Sequence, residues 1–64
     1  MKLFIEREHA TRELSFKGRA SELLKQLKIN PETVVIVRNG TVVADGEKID
    51  DKDEIKLISV VSGG

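Results

Sequence analysis

The sequence contains no cysteine, which removes disulfide scaffolds, thiolate metal sites, iron–sulfur clusters and cysteine nucleophiles together. Aromatic residues are nearly as scarce, with Phe4 and Phe16 alone and neither Trp nor Tyr. A surface that stacks nucleic-acid bases needs aromatic platforms beside basic residues, and so few aromatics argue against one. Charge of one sign is not in excess either. Lys plus Arg and Asp plus Glu number eleven each, so no net charge draws the chain to nucleic acid or to an anionic membrane. The longest unbroken apolar run, Val34 to Val37, is far short of a membrane span. The N-terminal stretch lacks the apolar core of a signal peptide, so the expected location is cytoplasmic, with no direct nucleic-acid or membrane partner.

What remains is 64 residues of ordinary globular composition, 39% hydrophobic and 34% charged. That is one domain, able to bury only about 60% of the surface its unfolded chain exposes. "KLFIERE" alternates, sending Leu3 and Ile5 one way and Lys2, Phe4 and Glu6 the other, the period of a half-buried strand. "EHAT" is a short polar turn, and "RELSF" alternates again with Leu14 and Phe16 on one face. A first hairpin follows.

"GRASELLKQLKINP" changes period. Ala20, Leu23, Leu24 and Leu27 recur at i, i+3, i+4 and i+7, one stripe of an amphipathic helix. Lys25 and Lys28 suit its C-terminal dipole, and Asn30-Pro31 stops it, because proline cannot continue the hydrogen bonding. No capping box marks its start. In "TVVIVRNGTVVADG" a β-branched run meets Asn39-Gly40, which supplies the positive φ angles of a type I′ hairpin. "EKIDDKDE" is a polar connection with Ile49 turned inward. "EIKLISVV" is the last strand, with Ile55 and Leu57 on one face and Ile58 and Val60 on the other.

Strand, strand, helix, strand, short strand, strand is the order of a two-layer α+β domain. A β-grasp arrangement fits it: a mixed four- to five-stranded sheet, one helix on one face, and the last strand parallel to the first at the centre. The helix supplies the crossover that a parallel pair requires. The helix stripe should then pack on Leu3, Ile5, Leu14, Phe16, Ile55 and Leu57. Phe4, Ile58 and Val60, with part of the Val34–Val37 run, should form an apolar patch on the opposite face, beside the C-terminal residues.

Few other residues invite chemistry. His9, the sole histidine, sits in a polar turn without companions and reads as solvated rather than as a metal ligand or general base. Asp50, Asp51, Asp53 and Glu54 cluster, but without the spacing or glycine of an EF-hand. They read as a solvated loop that attracts a basic partner. The lysines, Lys2, Lys17, Lys25, Lys28, Lys48, Lys52 and Lys56, read as surface solubility rather than as acceptors of isopeptide bonds. No Ser–His–acid set or phosphate-binding loop exists, so no catalytic residues, bound cofactor or metal site is expected.

The ordered features meet a family. "MKLFIE" resembles the opening of ubiquitin, and "SELLKQLKINPETVVIVRNGTVV" resembles the middle of the small bacterial and archaeal sulfur carriers. The matching pattern includes Leu23, Leu24 and Leu27 on the helix, Pro31 after it, Asn39-Gly40, an acidic "DKDEI", and Val61-Ser62-Gly63-Gly64. These carriers serve thiamine thiazole synthesis, molybdopterin synthesis or tRNA thiolation, and archaeal ubiquitin-like modifiers share the ending. The resemblance implies a β-grasp domain over residues 1–62 and a flexible Gly-Gly tail at 63–64.

It also implies a chemistry for that tail. A carboxylate is a poor electrophile; transfer of AMP from ATP makes a mixed anhydride that a sulfur nucleophile can attack, leaving a thiocarboxylate on Gly64. Glycine, lacking a Cβ, lets Gly63 and Gly64 thread a narrow channel in another protein, with Ser62 leading in. Glycine is about 7% of residues, so such a pair at the end arises by chance in roughly 0.5% of chains. The implied partners are an E1-like adenylyltransferase that uses the ATP, a sulfur-donor enzyme, and a downstream synthase or thiolation enzyme. The docking surface would be Phe4, Ile58, Val60 and Val61. The competing reading is a modifier joined through Gly64 to lysines of target proteins.

Overall fold

The computed structural model describes residues 1–60. Strands β1 (Lys2–Ile5) and β2 (Ala10–Glu13) form the first hairpin, joined by a 3-10 turn, Glu6–Glu8. A two-residue strand β3 (Gly18–Arg19) leads into helix α1 (Ala20–Gln26). After a second 3-10 turn, Pro31–Thr33, come β4 (Val34–Arg38), β5 (Thr41–Val43), the short β6 (Lys48–Ile49) and β7 (Glu54–Ser59). The main sheet runs β2-β1-β7-β4-β5. β7 is parallel to β1, with Leu3 opposite Ile55 and Ile5 opposite Leu57, and antiparallel to β4. This is the expected β-grasp architecture, with the last strand at its centre.

The core lies between that sheet and α1. Leu3, Leu23, Leu24, Ile49, Ile55 and Leu57 are all fully buried. Ala20, Ile5 and Phe16 join them, whereas Leu14 and Leu27 pack at the margin, only partly covered. Met1, Ile29 and Ile36 complete the core.

Several boundaries differ from the alternation and periodicity, each for a local reason. The first hairpin turns at Ile5 rather than after Glu8, with His9 in the left-handed region at φ 49 and its N–H donating to the Glu6 carbonyl. β2 stops at Glu13, so Phe16 is buried from a loop. Its N–H donates to Asp51 Oδ1 at 2.6 Å, which holds it there.

The helix is shorter than its stripe. Lys28 adopts φ 59, and Ile29 N–H donates to the Leu24 carbonyl while Lys28 N–H donates to Lys25. This pair of bonds is a Schellman ending made without glycine, and Leu24 and Ile29 at its two ends are both buried in the core. Its start carries no side-chain cap. Instead the N–H groups of Ala20 and Ser21 donate to the carbonyls of Glu47 and Asp45, satisfying donors that a helix otherwise leaves open. The β3–β6 ladder, Gly18 opposite Ile49 and Arg19 opposite Lys48, brings that turn into place.

Candidate functional site

The helix-free face of the sheet follows from strand alternation. Phe4 on β1 lies opposite Lys56 on β7, which in turn lies opposite Val37 on β4; Ile58 lies opposite Val35. Phe4, Ile58, Val35 and Val37 are half-buried there, and Val60 is 52% exposed. The apolar surface is therefore present but not continuous. Lys56, exposed, stands between Phe4 and Val37 and divides it. Beside Lys56 runs a shallow groove of about 440 Å³ bordered by Lys2, Phe4, Thr11, Glu54 and Ile58. Apolar flanks with a cation at the centre would accept a partner surface that carries both apolar side chains and a carboxylate.

This face leads toward the C-terminal residues. Ser59 N–H donates to Glu6 Oε1 at 3.0 Å, and Val60 N–H donates to the Thr33 carbonyl at 3.0 Å. Glu6, drawn as one more outward residue of an alternating strand, is in fact the tie between the first turn and the end of β7. Val61, Ser62, Gly63 and Gly64, expected to complete the docking surface and form the reactive thread, lie outside the described residues.

The acidic cluster is not a uniformly solvated loop. Asp53 is 8% exposed and organises the end of the sheet remote from Val60. Its Oδ2 accepts from Arg38 Nε and from Asp50 N–H, and its Oδ1 accepts from Asn39 Nδ2. Asp51 holds Phe16, and Asp50 Oδ1 accepts from Lys52 N–H. Among the described residues no group of three His, Asp or Glu side chains is placed to hold a metal ion.

Burial alone would push the Asp53 carboxyl up, but the bonds from Asn39, Asp50 and Arg38, with the Arg38 charge, outweigh it and leave it below its ordinary 3.8. A group with a depressed folded-state value stabilises the fold above its unfolded value and loses that contribution as pH falls through the folded one. Asp53→Ala is accordingly expected to cost about 2–3 kcal/mol at neutral pH. The deficit should shrink as pH falls through the depressed folded-state value of Asp53, because the charge-linked part of its contribution is lost there, as urea titrations across pH would measure.

With this geometry in view, comparison with known proteins is informative. The family model described as the ThiS family matches residues 3–64. The chain belongs to the ThiS family. It is 34% identical over 55 residues to "Sulfur carrier protein TtuB" of Thermus thermophilus, covering 83% of this chain and 85% of that protein. It is also 44% identical over 46 residues to an uncharacterized protein of Archaeoglobus fulgidus, covering 72% of this chain and 67% of the relative. The resemblance to the ubiquitin-like sulfur carriers thus stands at the level of the family, and a ThiS-family protein is a small carrier rather than an enzyme. Among the described residues no helix is long and apolar enough to cross a membrane.

Proposed function

We propose that this protein carries sulfur as a thiocarboxylate on Gly64. In this reading an E1-like enzyme transfers AMP from ATP to the Gly64 carboxylate. A sulfur-donor enzyme then supplies the sulfur that displaces AMP, and a biosynthetic enzyme accepts it. Thiamine thiazole formation is the first acceptor to test, followed by tRNA thiolation and molybdopterin synthesis. The observation that carries the reading is the family match over residues 3–64, a span that includes Gly63-Gly64. Its chemistry asks little of the folded domain beyond presentation, since the adenylating and thiolating groups belong to the partners. The test is incubation with the organism's E1-like enzyme, ATP and a sulfur source, followed by intact-mass analysis. An oxygen-to-sulfur exchange at Gly64 supports the carrier; Gly-Gly remnants on lysines of other proteins, without that exchange, would favour a modifier.

The helix-free face is the surface by which the E1-like enzyme would hold the domain while Gly64 enters its active site. Phe4→Ala, Ile58→Asp and Val60→Asp should each weaken binding roughly tenfold, about 1.4 kcal/mol. Circular dichroism should remain that of the folded protein. Unchanged affinity in all three, measured with residues 61–64 present, would remove this face from the model.

A further inference from the structure

The Asn39-Gly40 turn holds a second chemistry. Asn39 has φ 51 and Gly40 φ 85, the positive pair of a type I′ turn. Nothing approaches within 4 Å of the position a Gly40 Cβ would occupy. An asparagine followed by an unhindered glycine is intrinsically labile, because the Gly40 nitrogen can attack the Asn39 side-chain carbonyl. Here, however, that side chain is held at both ends. Nδ2 donates to Asp53 Oδ1 at 3.0 Å, and Oδ1 accepts from Glu54 N–H at 2.8 Å. The Asn39 N–H also donates to the Glu54 carbonyl at 2.8 Å.

We propose that Asn39 is a deamidation site gated by this corner, protected while the bonds to Asp53 and Glu54 persist and converted when they open. In the reaction the Gly40 nitrogen forms a bond to Asn39 Cγ as the Cγ–Nδ2 bond breaks. The Gly40 amide proton departs with Nδ2 as ammonia. Water then opens the cyclic imide at either carbonyl, leaving aspartate or isoaspartate. No other reactant is needed. The product cannot restore the corner, because a carboxylate at position 39 loses the donor to Asp53 Oδ1 and places a second negative charge against that buried acid. Either product therefore holds the corner open. The conversion is a one-way event that marks any molecule whose hairpin has detached from the start of β7.

Peptide mapping for the amide-to-acid mass change, on the full chain at fixed pH and temperature, tests the gate. Native protein should deamidate on the order of tenfold to a hundredfold more slowly than the same chain in denaturing guanidinium, given two side-chain bonds, one to a carboxylate. Across sub-denaturing guanidinium the rate should track hydrogen exchange of the Asn39 and Glu54 amides. Equal rates in native and unfolded chain, or rates unrelated to that exchange, would overturn the gate. The consequence is tested separately, without relying on a variant that removes Asp53 alone. Asn39→Asp should lower the unfolding midpoint, and adding Asp53→Asn, which swaps the two partners, should restore part of the loss. A midpoint unchanged by Asn39→Asp, or no recovery in the double variant, would overturn the claim that the product holds the corner open.

Discussion

Deleting Gly64, or placing a bulky side chain at Gly63, is expected to abolish adenylation while leaving thermal unfolding unchanged. Among the described residues the buried core reaches no further along the chain than Leu57, and the backbone ties named above end at Val60. In the proposed chemistry Gly64 supplies the carbonyl to be activated, and its deletion takes that carbonyl away. A side chain at Gly63 keeps the carbonyl but obstructs close backbone approach in the partner's channel. ATP–pyrophosphate exchange with the E1-like enzyme measures both. Full exchange with the truncated protein would refute the proposed chemistry, and loss of folding on truncation would make the glycines structural.

Leu57→Ala is the second large effect. Leu57 is 1% exposed and lies at the centre of the sheet, between Ile5 on β1 and Ile36 on β4. Truncation leaves a cavity bounded by two strands that cannot both collapse inward. The expected cost is on the order of 2–5 kcal/mol, most of the stability of a domain of this size. Leu24→Ala, fully buried on the helix side, should behave alike. Urea denaturation with an unchanged slope would confirm a loss of stability rather than of cooperativity.

The elements that pattern alone revealed are those with several turns or alternations to display it. β7 with the residue after it shows Ile55 and Leu57 against Ile58 and Val60, the helix with its C-cap shows four apolar positions on one stripe, and Asn39-Gly40 names its own turn. What escaped was made by contacts distant in sequence. β3 and β6 have two residues each, too few to express a period, and pair only because the fold brings them together. The helix start has no cap signature because its donors are met by the carbonyls of Asp45 and Glu47. Its end has no glycine because Lys28 takes the left-handed position instead.

The site was legible to a similar degree. Alternation placed Phe4, Ile58 and Val60 on one face, but only strand register puts Lys56 between Phe4 and Val37. Asp53 looked like its acidic neighbours because charge patterning cannot tell which carboxylate of a run turns inward. A usable signal was present in Arg38-Asn39, a donor pair in a tight turn that needed an acceptor from elsewhere.

The position of β7 bears also on how the molecule is made. β1 and β4 each pair with it, and it is the last of the described strands in chain order. A chain interrupted before Glu54 would hold two separate hairpins with open edges and neither Ile55 nor Leu57 to close the core. Joining β1 to β7 spans nearly the whole sequence, a long loop to close before any contact rewards it. Folding must therefore wait until β7 has been made. Chains interrupted before β7 lack the face proposed to dock as well as the glycines.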